Sequence, residues 1–367
     1  MLRGENGAVN GIGRLRRRAL ADAQCLPWIG RLVAGDLEQA AQDLARGVPD
    51  VARLQRFVAT HRLEPLLSQR IEHPALRRLL PAELRSSWQD RYLRQWLANS
   101  SVTRQLPRLW HALSQCCEGP ILLKGPAHAA LYYGDLAQRR FEDLDLLVPA
   151  QHATNCLHRL QRELGSRQPL LGQALVRRAT HARALRGAEV QIDLHWALRC
   201  HPSFRIDPAR IWSTRLELTL PEPDLTIAVL SHEYSLVLSL LEIFDDLSRL
   251  EHSVKGLLDC LLILHAANRS LDWPEFFSRR HAEGLGLISL DTLVMVLELF
   301  GARDLFPELE AALTAEGATE SWARRIILHD SNRLRALWSY RLPLYEMSRP
   351  LALLHLAVSA PVRTVLV

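Results

Sequence analysis

The stretch "RRFEDLDLLV", residues 139–148, decides how the middle of the chain is built. From Asp143 onward it reads as a buried strand: Leu144, Leu146, Leu147 and Val148 are apolar, and Pro149 ends the run. Yet Asp143 and Asp145 flank Leu144. Strand side chains alternate, so both carboxylates project from one face while Leu144 and Leu146 enter a core. About 7 Å apart along the strand, they repel one another unless a cation lies between them. Two aspartates facing solvent at a strand edge are the plainer alternative. D-x-D at a strand's mouth is otherwise a means of holding a hard divalent ion, and magnesium takes one or two carboxylates plus water and substrate phosphate.

Working outward, "VQIDLHW" at 190–196 is a second short strand, with Asp193 and His195 on one face and Ile192 and Leu194 on the other. Paired beside the first strand, it brings Asp193 to the same ion as a third carboxylate. Such a cluster suits phosphoryl or nucleotidyl transfer, where metal steadies both the attacking and the leaving oxygen. Upstream, "LLKGPAH" at 122–128 sets Lys124 and Gly125 at a strand end, just before a helix N-terminus. Free amides and the helix dipole favour anions there. Arg139 and Arg140 offer bidentate guanidinium groups to phosphate oxygens.

The order LLKG, then R-x3-D-x-D-LLV, then IDLHW resembles the uncharacterised nucleotidyltransferase family of the DNA polymerase β-like superfamily, over about residues 45–300. The resemblance implies an α+β fold: a small mixed-sheet nucleotidyltransferase core between helical blocks. The expected division is 1–115 helical, 116–215 α/β core and 216–367 helical. It implies Asp143 and Asp145 as the metal pair and Asp193 as the third carboxylate, metal ligand and catalytic group. It implies Lys124, Gly125 and Arg139 as phosphate-binding residues, although Lys-Gly lacks the hydroxyl of the Gly-Ser turn in better-known members. The resemblance implies Mg²⁺ or Mn²⁺ as cofactor, ATP or another NTP as substrate, and a small molecule, peptide or protein as acceptor. Biosynthetic proteins are the expected partners. A degenerate nucleotide-binding scaffold is the alternative, favoured by the Lys-Gly turn and opposed by the intact carboxylates.

Helical periodicity runs from about Leu37 to Cys117. "GPILLKG" is a strand, "PAHAALYYG" and "AQHATNCLHRLQREL" are helices, and Pro202–Pro223 reads as a proline-rich loop. Thr226–Phe244 is apolar nearly all round and reads as a buried helix, as do 254–267 and 286–301.

The net charge of +5 permits phosphate-bearing partners without requiring nucleic acid, and no concentrated basic stripe with interleaved aromatics argues for it. Lys124 and Lys255 are the only lysines among 45 Lys and Arg, which singles out Lys124. Six cysteines without paired spacing suit a reduced, cytoplasmic chain. No signal peptide or membrane span is read, since "LALLHLAVSA" is too short to cross a bilayer. His195, Cys200 and His201 lack a second pair for a zinc site, so His195 reads as a packing histidine. Gly7, Gly11 and Gly13 read as a flexible end, and "RLRRR" at 14–18 as a solvated run. "HEYS" lacks the second histidine of a metalloprotease, and Asp259 reads as a buried hydrogen-bonding group.

Overall fold

The computed structural model describes residues 24–166, 180–187, 189–201, 203–248 and 254–321. The glycine cluster, the 14–18 basic run and "LALLHLAVSA" lie outside the described residues. The longer elements run α1 (Cys25–Ala34), α2 (Leu37–Ala45), α3 (Val51–His61), α4 (Ala82–Thr103), α5 (Leu106–Ser114), β1 (Ile121–Leu122) and β2 (Asp143–Leu147). They continue as α6 (Ala153–Leu164), β3 (Ala182–Arg186), β4 (Gln191–His195), α7 (Pro208–Ser213), β5 (Leu216–Leu220) and β6 (Leu225–Val229). The remainder are α8 (His232–Ser248), α9 (Val254–Ala267), α10 (Trp273–Ala282), α11 (Gly286–Phe300) and α12 (Pro307–Ala315). The described residues fall into two compact units, one within Met1–Trp88 and Leu236–His355, the other within Gln89–Ser235.

The first unit is helical. Asp36 and Asp50 cap α2 and α3, their carboxylates accepting the Gln39 and Arg53 amides at 3.4 and 2.9 Å. Trp28 donates its indole N–H to the Ala40 carbonyl at 2.8 Å, tying α1 to α2. Gly30 is where α1 meets α11: a Cβ there would lie 3.1 Å from the Phe300 carbonyl oxygen, so a larger residue would push the helices apart. Helix α11 is buried almost all round, as its unbroken apolar sequence demands.

The second unit is built on one mixed sheet of order β3-β4-β2-β1-β6-β5. Strand β2 pairs with β4 in parallel and with β1 antiparallel, while β1 pairs with β6 in parallel. Leu144, Leu146, Ile192 and Leu194 are fully buried in one core with Leu106, Leu109 and Leu113 of α5 and Cys156, Leu157 and Leu160 of α6. Each such leucine contributes about 1.5–3 kcal/mol through burial, which fixes which face of the sheet turns inward. The opposite face is left to Asp143, Asp145 and Asp193.

Two expectations change. The proline-rich segment is not a loop: α7 starts at Pro208 behind the Asp207 cap, and β5 follows. Residues 203–207 keep no regular structure, and Pro221–Asp224 turns, closing a hairpin in which Thr219 faces Thr226. Likewise Thr226–Val229 belongs to β6, and the helix begins at His232 behind Ser231, whose hydroxyl accepts the Tyr234 amide at 3.4 Å. Both segments are apolar enough for either structure; pairing with β1 selects the strand for β6, and pairing with β6 selects it for β5.

Candidate functional site

The parallel register sets Asp143 opposite Gln191, Asp145 opposite Asp193 and Leu147 opposite His195. The strand alternation of both segments therefore places the carboxylates and His195 on one face. The side chains of Asp145, Asp193 and His195 offer ligand atoms that all lie within 4.8 Å of one another. Asp143 is half-buried at the start of β2 and is outside that closest set.

Asp145 is the centre of the arrangement, with 2% of its surface exposed. Its Oδ1 receives His195 Nε2 at 3.1 Å and the Lys124 ammonium at 3.4 Å. An ionised carboxylate only accepts hydrogen bonds, so Nε2 of His195 carries the proton. Burial alone would raise the Asp145 pKa, but the Lys124 charge and His195 outweigh it and hold the group below the ordinary carboxylate range. Asp193 moves the other way: burial and the neighbouring Asp145 charge raise its pKa, and His195 counters only part of this. Gln191 donates to Asp193 Oδ1 at 3.2 Å.

Lys124 reaches Asp145 because β1 runs antiparallel to β2, with the Leu123 amide donating to the Asp145 carbonyl at 2.9 Å. Gly125 then turns the chain at φ +64°, ψ −116°, a region open essentially to glycine. Pro126 has no amide proton, and the Ala127 and Ala129 amides close onto the Lys124 and Gly125 carbonyls. Those donors are engaged within the turn, so the Lys124 ammonium supplies its positive charge. Arg139 is 2% exposed; its carbonyl accepts from Asn99 Nδ2 at 2.8 Å.

Three contributors escaped the sequence reading. His195 is no inert packing group, because it binds Asp145 directly. Asn99, fully buried on α4, also donates to the Leu136 carbonyl at 2.5 Å and accepts from Gln95 at 2.8 Å. Tyr92, on the same helix, donates to Asp135 at 2.8 Å. Together they pin the segment that leads into β2. The only sequence signal was polarity inside a helix, which surface positions mimic.

The donor set suits a divalent cation. Asp145 Oδ2 and His195 Nδ1 are buried without a hydrogen-bond partner among the described residues, leaving a carboxylate oxygen and an imidazole nitrogen uncommitted. Two carboxylates and a histidine within a few ångströms form a hard-to-borderline ligand set.

No curated protein and no solved structure matches the chain. The family described as an uncharacterised nucleotidyltransferase matches residues 48–301, which takes in the whole sheet, the carboxylates and Lys124. With that match over well more than half its length, the chain belongs to this uncharacterised nucleotidyltransferase family.

Proposed function

We propose that the protein transfers a nucleoside monophosphate from an NTP to an acceptor, using a divalent ion on a polymerase β-like core. The observation that supports this most directly is the buried Asp145, paired in register with Asp193 and carrying an oxygen without a hydrogen-bond partner among the described residues. Asp143, Asp145 and Asp193 would hold Mg²⁺ or Mn²⁺, which when bound neutralises phosphate charge and promotes ionisation of the attacking group. If His195 joins as a ligand, its nitrogen favours Mn²⁺ over Mg²⁺, which prefers oxygen throughout.

The chain's own groups have distinct tasks. Lys124, on a flexible stem beside Asp145, turns its ammonium toward the triphosphate. Gly125 gives the turn its conformation, and Arg139 braces the phosphate side from within the core. Asp193, on the strand beside Asp145, takes the proton from the acceptor. The acceptor oxygen bonds to the α-phosphorus as the bond to the bridging oxygen breaks, and pyrophosphate leaves with the electron pair. The reading places the protein in a reducing cytoplasm, on the ground that its six cysteines lack paired spacing.

A second reading has one observation in its favour: Lys124 already neutralises Asp145, and the Lys-Gly turn has no hydroxyl. On that reading the chain binds nucleotide for a biosynthetic complex without turnover. Incubation with each labelled NTP and Mg²⁺ or Mn²⁺, with cell extract and mass spectrometry, separates the two. Transferred label supports the enzyme; nucleotide binding without any transferred label supports the scaffold.

A further inference from the structure

A cavity of about 530 Å³ opens off the carboxyl ends of β2 and β4. Leu147 and Trp196 form its wall on the sheet side, and Ile211 and Trp212 of α7 close it with Phe204. Twelve of its seventeen lining residues are apolar, yet about half of the surface they present is polar, so the lining suits an occupant that has both an apolar body and a polar group. Its lining carries two guanidinium groups, Arg199 and Arg215, and the carboxylate of Glu118.

Arg199 is half-buried, which limits screening of its charge by water. Its guanidinium donates to His181 Nε2 at 2.8 Å, so His181 carries its proton on Nδ1. The His181 ring lies 5.8 Å from that of His195, which holds Asp145. A short path of side chains therefore joins the cavity to the carboxylates. Leu147, on the cavity wall, is two residues past Asp145, about 7 Å along the strand.

We propose that this cavity seats the acceptor and that the acceptor is a small amphiphilic anion. Its apolar body packs among Leu147, Phe204 and Trp212, and its carboxylate or phosphate group rests against Arg199. The word acceptor rests on the transferase reading; the ligand class rests on the cavity alone. A planar guanidinium pairs with either head group through charge-assisted hydrogen bonds that an alcohol cannot match.

Calorimetric titration of the full chain, with metal chelated and no NTP, tests this using octanoate, octyl phosphate and octanol. At least one anion should bind about tenfold more tightly than octanol, and the tighter anion identifies the head group. Arg199→Gln should bring anion and alcohol to within about threefold of each other. Ala209→Trp, at an exposed position on the rim, should weaken all three about tenfold by filling the space. Octanol binding as tightly as both anions, or unchanged binding in Ala209→Trp, would overturn the proposal. Asp145→Asn separates the two readings: it should stop transfer yet keep the anion affinity. Transfer by the wild type without anion binding sinks the cavity proposal alone. Anion binding without transfer on any extract component removes the acceptor role.

Discussion

Asp145 carries the balance of forces at the site: burial opposes its charge, and Lys124 with His195 restores it. Repulsion between Asp143 and Asp145 alone would make removal of either charge stabilise the metal-free protein. For Asp145 the structure argues the reverse, since its charge has two partners. Asp145→Asn should abolish transfer and cost about 1–3 kcal/mol at pH 7. The folded pKa lies below its ordinary value, so this stability is present above the ordinary carboxylate range and is lost as pH falls toward the folded pKa. Urea unfolding at pH 7 and again near pH 3.5 should show the gap between wild type and variant closing. Lys124→Arg should weaken NTP binding despite keeping its charge, and Lys124→Ala more so, by about 1.5–3 kcal/mol in nucleotide calorimetry. Unchanged affinity and turnover in Lys124→Ala would remove this lysine from the site. Asp193→Asn should lose turnover more than nucleotide affinity, and an equal fall in both would mark it as structural. The carboxylates were legible because a strand's period of two exposes any charge that breaks an apolar run. His195 was not, because its partner lies fifty positions away and nothing local distinguishes a packing histidine from one bonded to an aspartate.

At the scale of elements, α4 determines how β2 is presented. Asn99 holds the carbonyls of Leu136 and Arg139, one on each side of the turn before the strand. Asn99→Ala should cost about 1–3 kcal/mol by leaving those carbonyls without a donor, and should slow transfer through misplacement of Arg139. Thermal unfolding beside steady-state kinetics checks both, and a stability loss with wild-type turnover would confine Asn99 to the fold. Gly125→Ala has room for its methyl group, 3.6 Å from the nearest atoms, but not for its backbone angles. The strain of about 1–3 kcal/mol should appear as lost stability and as displacement of Lys124. Central strands and long helices were readable from their periods. The β5–β6 hairpin was hidden because "PEPD" looked like one more part of a proline-rich stretch, and β3 because "ARALR" has too little apolar character to announce a strand. Those strands exist because their neighbours offer unpaired backbone, a fact that no local pattern contains.

At the scale of the molecule, ion binding should act as a folding ligand for the second unit. At a hundred times its dissociation constant Mn²⁺ would add about 2.7 kcal/mol, seen as a higher melting temperature that EDTA reverses. Asp145→Asn and Asp193→Asn should both lose the effect, while an unaltered shift in either would place the ion elsewhere. The sheet order also constrains how the protein is made. Strand β1 lies between β2 and β6, and Ile121 pairs with Leu147 on one side and Ala228 on the other. The first partner, Leu147, leaves the ribosome soon after β1; the second, Ala228, follows only after α6, β3, β4, α7 and β5. Until Val229 has been synthesised, β1 is an open hydrogen-bonding edge with an apolar sequence, which invites pairing between nascent chains. A fragment ending at Arg215 would keep every proposed metal ligand and still tend to aggregate, because β6, the strand that covers that edge, has not yet been added.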